Sequence, residues 1–126
     1  MGQYWTFKIF TNLNGESDIQ NWKDELPVRL RIRIDRIVVH LEAQKDMRCG
    51  YFKSYKGHDN IYELRFTHNN IQYRPLGCFG PEANEFTLLV PAIEKGSRLK
   101  PKKSLSIAEK RRDLILQNRG YIDDYV

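Results

Sequence analysis

Ile-Tyr-Glu-Leu-Arg-Phe-Thr-His-Asn-Asn-Ile-Gln-Tyr-Arg-Pro-Leu-Gly, Ile61 to Gly77, is the stretch whose reading decides the fold. Two short β-rich runs flank His68-Asn69-Asn70. Asn tolerates the positive φ that a two-residue hairpin turn demands. A turn centred on Asn69-Asn70 pairs residues equidistant from it and sets Arg65 opposite Arg74. Like charges directly across two strands cost roughly 0.2–1 kcal/mol. A hairpin that tolerates this cost is a candidate to hold an anion, and phosphate is the anion that arginine grips best. Alternation places Tyr62, Leu64, Phe66, Ile71 and Tyr73 toward the core. It leaves Glu63, Arg65, Gln72 and Arg74 facing outward or into a cleft. The plain alternative is a solvated sheet face with a Glu63–arginine salt bridge.

Working outward, Tyr4 to Phe10 alternates as a first strand. Ser17 or Asp18 caps a short helix that stops near Pro27. From Val28 to Asp35 the pattern also alternates, but Leu30, Ile34, Ile37, Val38 and Leu41 recur at helical spacing. The helical pattern is longer, and it predicts a helix from about Pro27 to Gln44. Tyr51 to Tyr55 reads as a short strand followed by a Lys56–Asn60 turn. Phe86 to Ile93 is an apolar strand interrupted by Pro91. Lys95 to Lys103 reads as a basic connector. Ser106 to Glu109 matches a capping box that opens a last helix ending near Asn118 to Gly120. Tyr121 to Val126 is a tail. This order predicts a single α+β domain over residues 1–126, with helices on one face of an antiparallel-rich sheet and the other face partly open.

Composition limits the chemistry. With 126 residues and 40% hydrophobic content, the chain supports one cored domain. A net charge of +5 and a pI near 9.3 suit a polyanionic partner. No apolar run is long enough to span a membrane, and no secretory signal is visible. Cys49 and Cys78 lack metal spacing and read as reduced thiols of a cytoplasmic protein. Met1-Gly2 with Thr6 matches a myristoylation pattern only loosely. No Gly-rich phosphate loop, HExxH or GxSxG occurs, and the acids suggest no metal cage, so neither cofactor nor metal is expected.

Two further segments carry charge. Lys95 to Arg112 holds Lys95, Arg98, Lys100, Lys102, Lys103, Lys110, Arg111 and Arg112 against the single acid Glu109. Such a run attracts a phosphate backbone, although many are merely solvated faces. Tyr51 to His58 interleaves aromatics with Lys53, Lys56 and His58, which suits base stacking beside phosphate contacts. His58 is the best-placed neutral-pH proton carrier. His40 reads as structural and His68 as exposed at the turn.

Tyr62-Glu-Leu-Arg-Phe, Tyr73-Arg-Pro-Leu-Gly-Cys-Phe-Gly, Glu85-Phe-Thr-Leu-Leu-Val and Ala92-Ile-Glu-Lys-Gly resemble the phage-derived HigB-like branch of the RelE/ParE toxin superfamily. The Ala108-Glu-Lys-Arg-Arg-Asp helix resembles it too. The resemblance is sharpest from Tyr62 to Gly96. It implies a RelE-like fold and a toxin of a type II toxin–antitoxin pair, partnered by a cognate antitoxin of helix-turn-helix type. It implies a metal-independent endoribonuclease that cuts mRNA on the ribosome, the 2′-hydroxyl attacking the adjacent phosphate to give a 2′,3′-cyclic phosphate. Arg65, Arg74 and Lys95 match basic positions of the family, and Lys53 lies near another. On this reading Arg65 and Arg74 hold the phosphate and Lys53 or His58 takes the 2′-hydroxyl proton. Lys95, Tyr121 or Tyr125 assists the leaving oxygen or stacks on a base. Lys56, Arg98, Lys100, Lys102 and Lys103 follow the RNA backbone. The rivals are a ParE-like gyrase inhibitor, a non-catalytic RNA-binding module and an inactive prophage remnant.

Overall fold

The computed structural model describes residues 3–46 and 50–126. The myristoylation pattern at Met1-Gly2 and the thiol of Cys49 lie outside the described residues. The strands are β1 (Thr6–Phe10), β2 (Phe52–Ser54), β3 (Tyr62–Leu64), β4 (Phe66–His68), β5 (Ile71–Tyr73), β6 (Leu76–Phe79), β7 (Glu85–Val90), β8 (Ile93–Lys95), β9 (Arg98–Lys100) and β10 (Ile122–Asp124). The helices are α1 (Asp18–Glu25), α2 (Val28–Glu42) and α3 (Ser104–Gln117), with a 3-10 turn at Arg119–Tyr121. A six-stranded sheet runs β10-β1-β7-β6-β3-β2, and a four-stranded one runs β4-β5-β8-β9. All pairs are antiparallel except β1 with β7.

The Asn69-Asn70 turn forms as the sequence predicts. Both residues have positive φ, 49° and 66°, and Phe66 pairs with Tyr73, Thr67 with Gln72 and His68 with Ile71. The long strands are nevertheless broken at one level. β3 passes into β4 at Arg65, β5 into β6 at Arg74-Pro75, and β7 into β8 at Pro91-Ala92. The register carried across the break sets Pro75 opposite Pro91, where neither residue has an N–H for the ladder. Two bonds bridge the crease, Leu64 N–H to the Pro75 carbonyl at 2.9 Å and Arg74 N–H to the Ala92 carbonyl at 2.8 Å. Gly77, just past the crease, lies under Phe86. A Cβ there would come within 2.6 Å of both the Phe86 ring and the Thr87 carbonyl oxygen.

Helix α2 buries Leu30, Ile34, Ile37, Val38 and Leu41, the stripe its spacing predicts. Its end is tied to β1, because the Glu42 carboxylate accepts from Phe7 N–H at 2.9 Å. Ser17 caps α1, its hydroxyl accepting from Gln20 N–H at 3.2 Å. α3 packs over β6 and β7. Every residue from Phe86 to Val90 is buried, so both faces of β7 are covered and the predicted open face does not exist there.

Three local expectations are corrected. α3 begins at Ser104, and the Ser106 hydroxyl donates to the Lys103 carbonyl, so the capping box does not form. Ser104 instead turns its hydroxyl onto the Pro101 carbonyl at 2.5 Å. The basic connector is a second tight hairpin, β8–β9, turning at Gly96 and Ser97 with φ of 58° and 67°. The tail is an edge strand, β10, paired with β1.

Candidate functional site

The crease lets the four-stranded flap turn against the larger sheet. Between them lies a cleft of about 500 Å³. One wall is β2 with its following turn, contributing Lys53, Ser54, Tyr55 and Lys56; the other is the β8–β9 hairpin, contributing Glu94, Ser97, Arg98 and Leu99. Glu63 and Arg65 line it from β3 and the crease. Lys53 stands directly across from Glu63 in the β2–β3 ladder. A neighbouring cavity shares Tyr55, Ser97, Arg98 and Leu99 and adds Lys100 and Lys102. The cations therefore continue from the cleft along β9 toward α3.

Arg65 and Arg74 part company at the crease. The Arg65 side chain is 40% exposed and its Nε lies 3.5 Å from Glu63 Oε1. The Arg74 side chain is only 6% exposed. Its Nε lies 3.3 Å from Glu94 Oε1, and its other nitrogens donate to the Gln72 side-chain oxygen at 2.7 Å and the Tyr73 carbonyl at 2.8 Å. The pair expected to project side by side is thus one open guanidinium and one interior guanidinium. The register is unbroken across the crease, and Arg74 keeps the face of Gln72 and Glu94, but that face is covered there, so the guanidinium is enclosed. Both arginines still act on one carboxyl. Burial pushes Glu63 above its ordinary value, against the lowering fields of Arg65, Arg74 and Lys53.

Lys53, Lys56 and Arg98 line the cleft, while Lys100 and Lys102 line its extension. None of these five forms an ion pair among the described residues. Lys95 lies on β8 beside Glu94, and strand alternation directs it away from the face Glu94 presents. Lys103 precedes α3 and lines neither cavity. His58 is turned to α3, its Nδ1 2.9 Å from Glu109 Oε2. Tyr121 stacks on Phe10, ring centroids 5.7 Å apart. The Tyr125 hydroxyl donates to Asp35 at 2.7 Å beneath Lys23. Both tyrosines flank β10, at the sheet edge opposite β2. Sequence reasoning placed Glu63 with Arg65 facing outward or into a cleft but gave it no chemical role, and gave Tyr55 no individual role. What spacing does not announce is the cross-strand pairing that sets Lys53 against Glu63 and brings the turn after β2, with Tyr55, to the cleft. Among the described residues no cluster of three or more His, Cys, Asp or Glu side chains is placed to hold a metal ion.

The family model described as Phage derived protein Gp49-like matches residues 21–113. The chain belongs to the Gp49-like family. It is a RelE/HigB-like toxin family of toxin–antitoxin systems. The matched region contains every residue of the cleft and stops short of β10 and the tail tyrosines. No curated protein and no solved structure matches this Gp49-like chain. No helix of it is long and apolar enough to cross a membrane among the described residues.

Proposed function

We propose that this Gp49-like chain is the toxin of a toxin–antitoxin pair and cuts mRNA on the ribosome, using the cleft between β2 and the β8–β9 hairpin. The observation that carries the reading is a set of cations left without acidic partners around one cleft, with Arg65 open to it. Charge builds on a phosphodiester as a 2′-oxygen attacks, and each fixed cation aimed at that charge is worth about 3–4 kcal/mol by analogy with oxyanion holes. Arg65 and Lys53 hold the scissile phosphate. Arg74 acts from beneath, bonding no phosphate and fixing Glu94 and the crease. Lys56, Arg98, Lys100 and Lys102 carry the flanking backbone, and Tyr55 offers a ring for a base. Lys95, His58, Lys103 and Tyr121 have no direct part in this arrangement.

The cognate antitoxin meets a different surface. Val28, Ile32 and Val39 are exposed on the outer side of α2, beside exposed Arg29 and Arg36. An amphipathic antitoxin segment carrying acidic residues complements that stripe.

The test is induction of the chain alone and then with its gene neighbour, with message ends read by sequencing and 3′-end chemistry. Growth arrest with new 2′,3′-cyclic phosphate ends in translated messages supports the proposal. Arrest with intact messages and blocked gyrase supercoiling would replace it with the ParE-like reading.

A further inference from the structure

We infer that Glu63 is the general base of the cleft, the group that takes the proton from the attacking 2′-hydroxyl. This rests on the RNA-cleaving reading above and names a residue for its least defined step. Glu63 lines the cleft directly opposite Lys53 and beside Arg65. Its side chain is 9% exposed and has one charged contact, Oε1 to Arg65 Nε at 3.5 Å. It makes no hydrogen bond among the described residues. Neither oxygen is a sealed, partnerless atom of the interior. A carboxylate that is largely desolvated, touched by one guanidinium through Oε1 and still open to the cleft can accept a proton from a ligand there.

The other acceptors are engaged. Glu94 is paired with Arg74. His58 is paired with Glu109 outside the cleft. Lys53 is taken up by the phosphate in this arrangement. The position also fits the geometry of attack. A phosphate held by Arg65 and Lys53 stands next to the carboxylate that lies between them. Burial raises the affinity of Glu63 for a proton, which strengthens it as a base.

The step balances without a co-reactant. Glu63 takes the 2′-hydroxyl proton as the 2′-oxygen bonds to phosphorus. The phosphorus–5′-oxygen bond breaks, and the 5′-oxygen leaves as a hydroxyl with a proton from water. Glu63 then returns its proton to solvent. The products are a 2′,3′-cyclic phosphate and a 5′-hydroxyl end.

The experiment compares wild type, Glu63→Gln and Glu63→Asp on ribosome-bound message across pH. Binding is measured in parallel with an RNA carrying 2′-deoxyribose at the cut site. Glu63→Gln should cut about 10²–10³-fold more slowly while binding the uncleavable RNA within about threefold of wild type, since the cations that hold the phosphate remain. The wild-type rate should fall at acid pH with unit slope, and that limb should vanish in Glu63→Gln. If Glu63→Gln does not fold, a displaced acid limb in Glu63→Asp gives the same answer. Wild-type cutting by Glu63→Gln, or an acid limb unchanged in both variants, overturns the assignment and leaves the nuclease reading standing. A wild-type chain that arrests growth and leaves messages whole removes both.

Discussion

Arg74, one residue past β5, reaches back to Glu94 of β8 at 3.3 Å, with the arginine shut in and the carboxylate at the cleft wall. This ion pair fastens the flap to the crease and keeps one cleft acid occupied. Arg74→Ala should therefore act on stability first. It empties a buried site and strips partners from Gln72, Glu94 and the Tyr73 carbonyl. A loss of about 2–3 kcal/mol is expected, read as a lower urea midpoint. Arg74→Lys should recover only part of it, since an ammonium cannot reproduce the planar fork.

Arg65→Ala should do the opposite. The side chain is 40% exposed and makes one ion pair at 3.5 Å, so its removal leaves the folded state near wild-type stability. The rate of RNA cutting should drop about 10²–10³-fold, and growth arrest should be relieved. Circular dichroism melts beside a cleavage assay would separate the two arginines. An Arg65→Ala chain as toxic as wild type would refute its phosphate-binding role.

Alkaline pH should loosen the fold through Tyr125. Burial, the bond to Asp35 and the charges of Asp35 and Glu42 hold its hydroxyl far above the ordinary value of 10.0. The folded chain keeps this proton and the unfolded chain releases it near 10.0. Stability contributed by Tyr125 is full below that value and declines as pH rises beyond it. Tyr125→Phe should be less stable at neutral pH by about 1 kcal/mol and should show a shallower alkaline decline in melting temperature. Its cutting rate should match wild type, because the residue lies at the far sheet edge.

The hairpin turn should be improvable. Asn69 and Asn70 both occupy the left-handed region, and Asn-Gly is the preferred pair for such a turn. Asn70→Gly should stabilise the domain by about 0.5–1 kcal/mol, and Asn70→Val should destabilise it by about 1–2 kcal/mol. Denaturant titration checks both.

Ile32→Asp on the outer face of α2 should leave growth arrest intact and weaken rescue by the co-expressed antitoxin. It adds a charge where the partner segment needs an apolar contact and an arginine field. Titration of purified partner against the two chains would give the ratio directly. An unchanged affinity would move the antitoxin to another face.

Local rules carried much of the fold. The helical stripe of α2, the Ser17 cap and the Asn69-Asn70 turn are short-range features, and each was readable from spacing or residue type. The crease was not. It arises because Pro75 and Pro91, distant in sequence, meet across β-strands and interrupt the same ladder. There Arg74 keeps the predicted face beside Gln72 and Glu94 and is enclosed on it, a burial that alternation does not report. The β8–β9 hairpin was missed because Gly96-Ser97 is a weaker turn signal than Asn69-Asn70, and lysines obscure its strands. β10 was missed because a short acidic strand is defined by its partner β1 and not by its own pattern. Within the site, alternation put Glu63 and Arg65 toward a cleft and charge marked Lys53, Lys56 and Arg98; the facing of Lys53 and Glu63 needed the β2–β3 register.

The two walls of the cleft belong to opposite sides of one hinge line, yet that line is stapled by backbone bonds at Leu64 and Arg74 and stiffened by a pair of facing prolines. Its aperture is accordingly set by the main chain and not by side-chain rotamers. A strand entering the slot therefore meets a framework already in place, and only the lysine and arginine side chains along its walls have to settle on it.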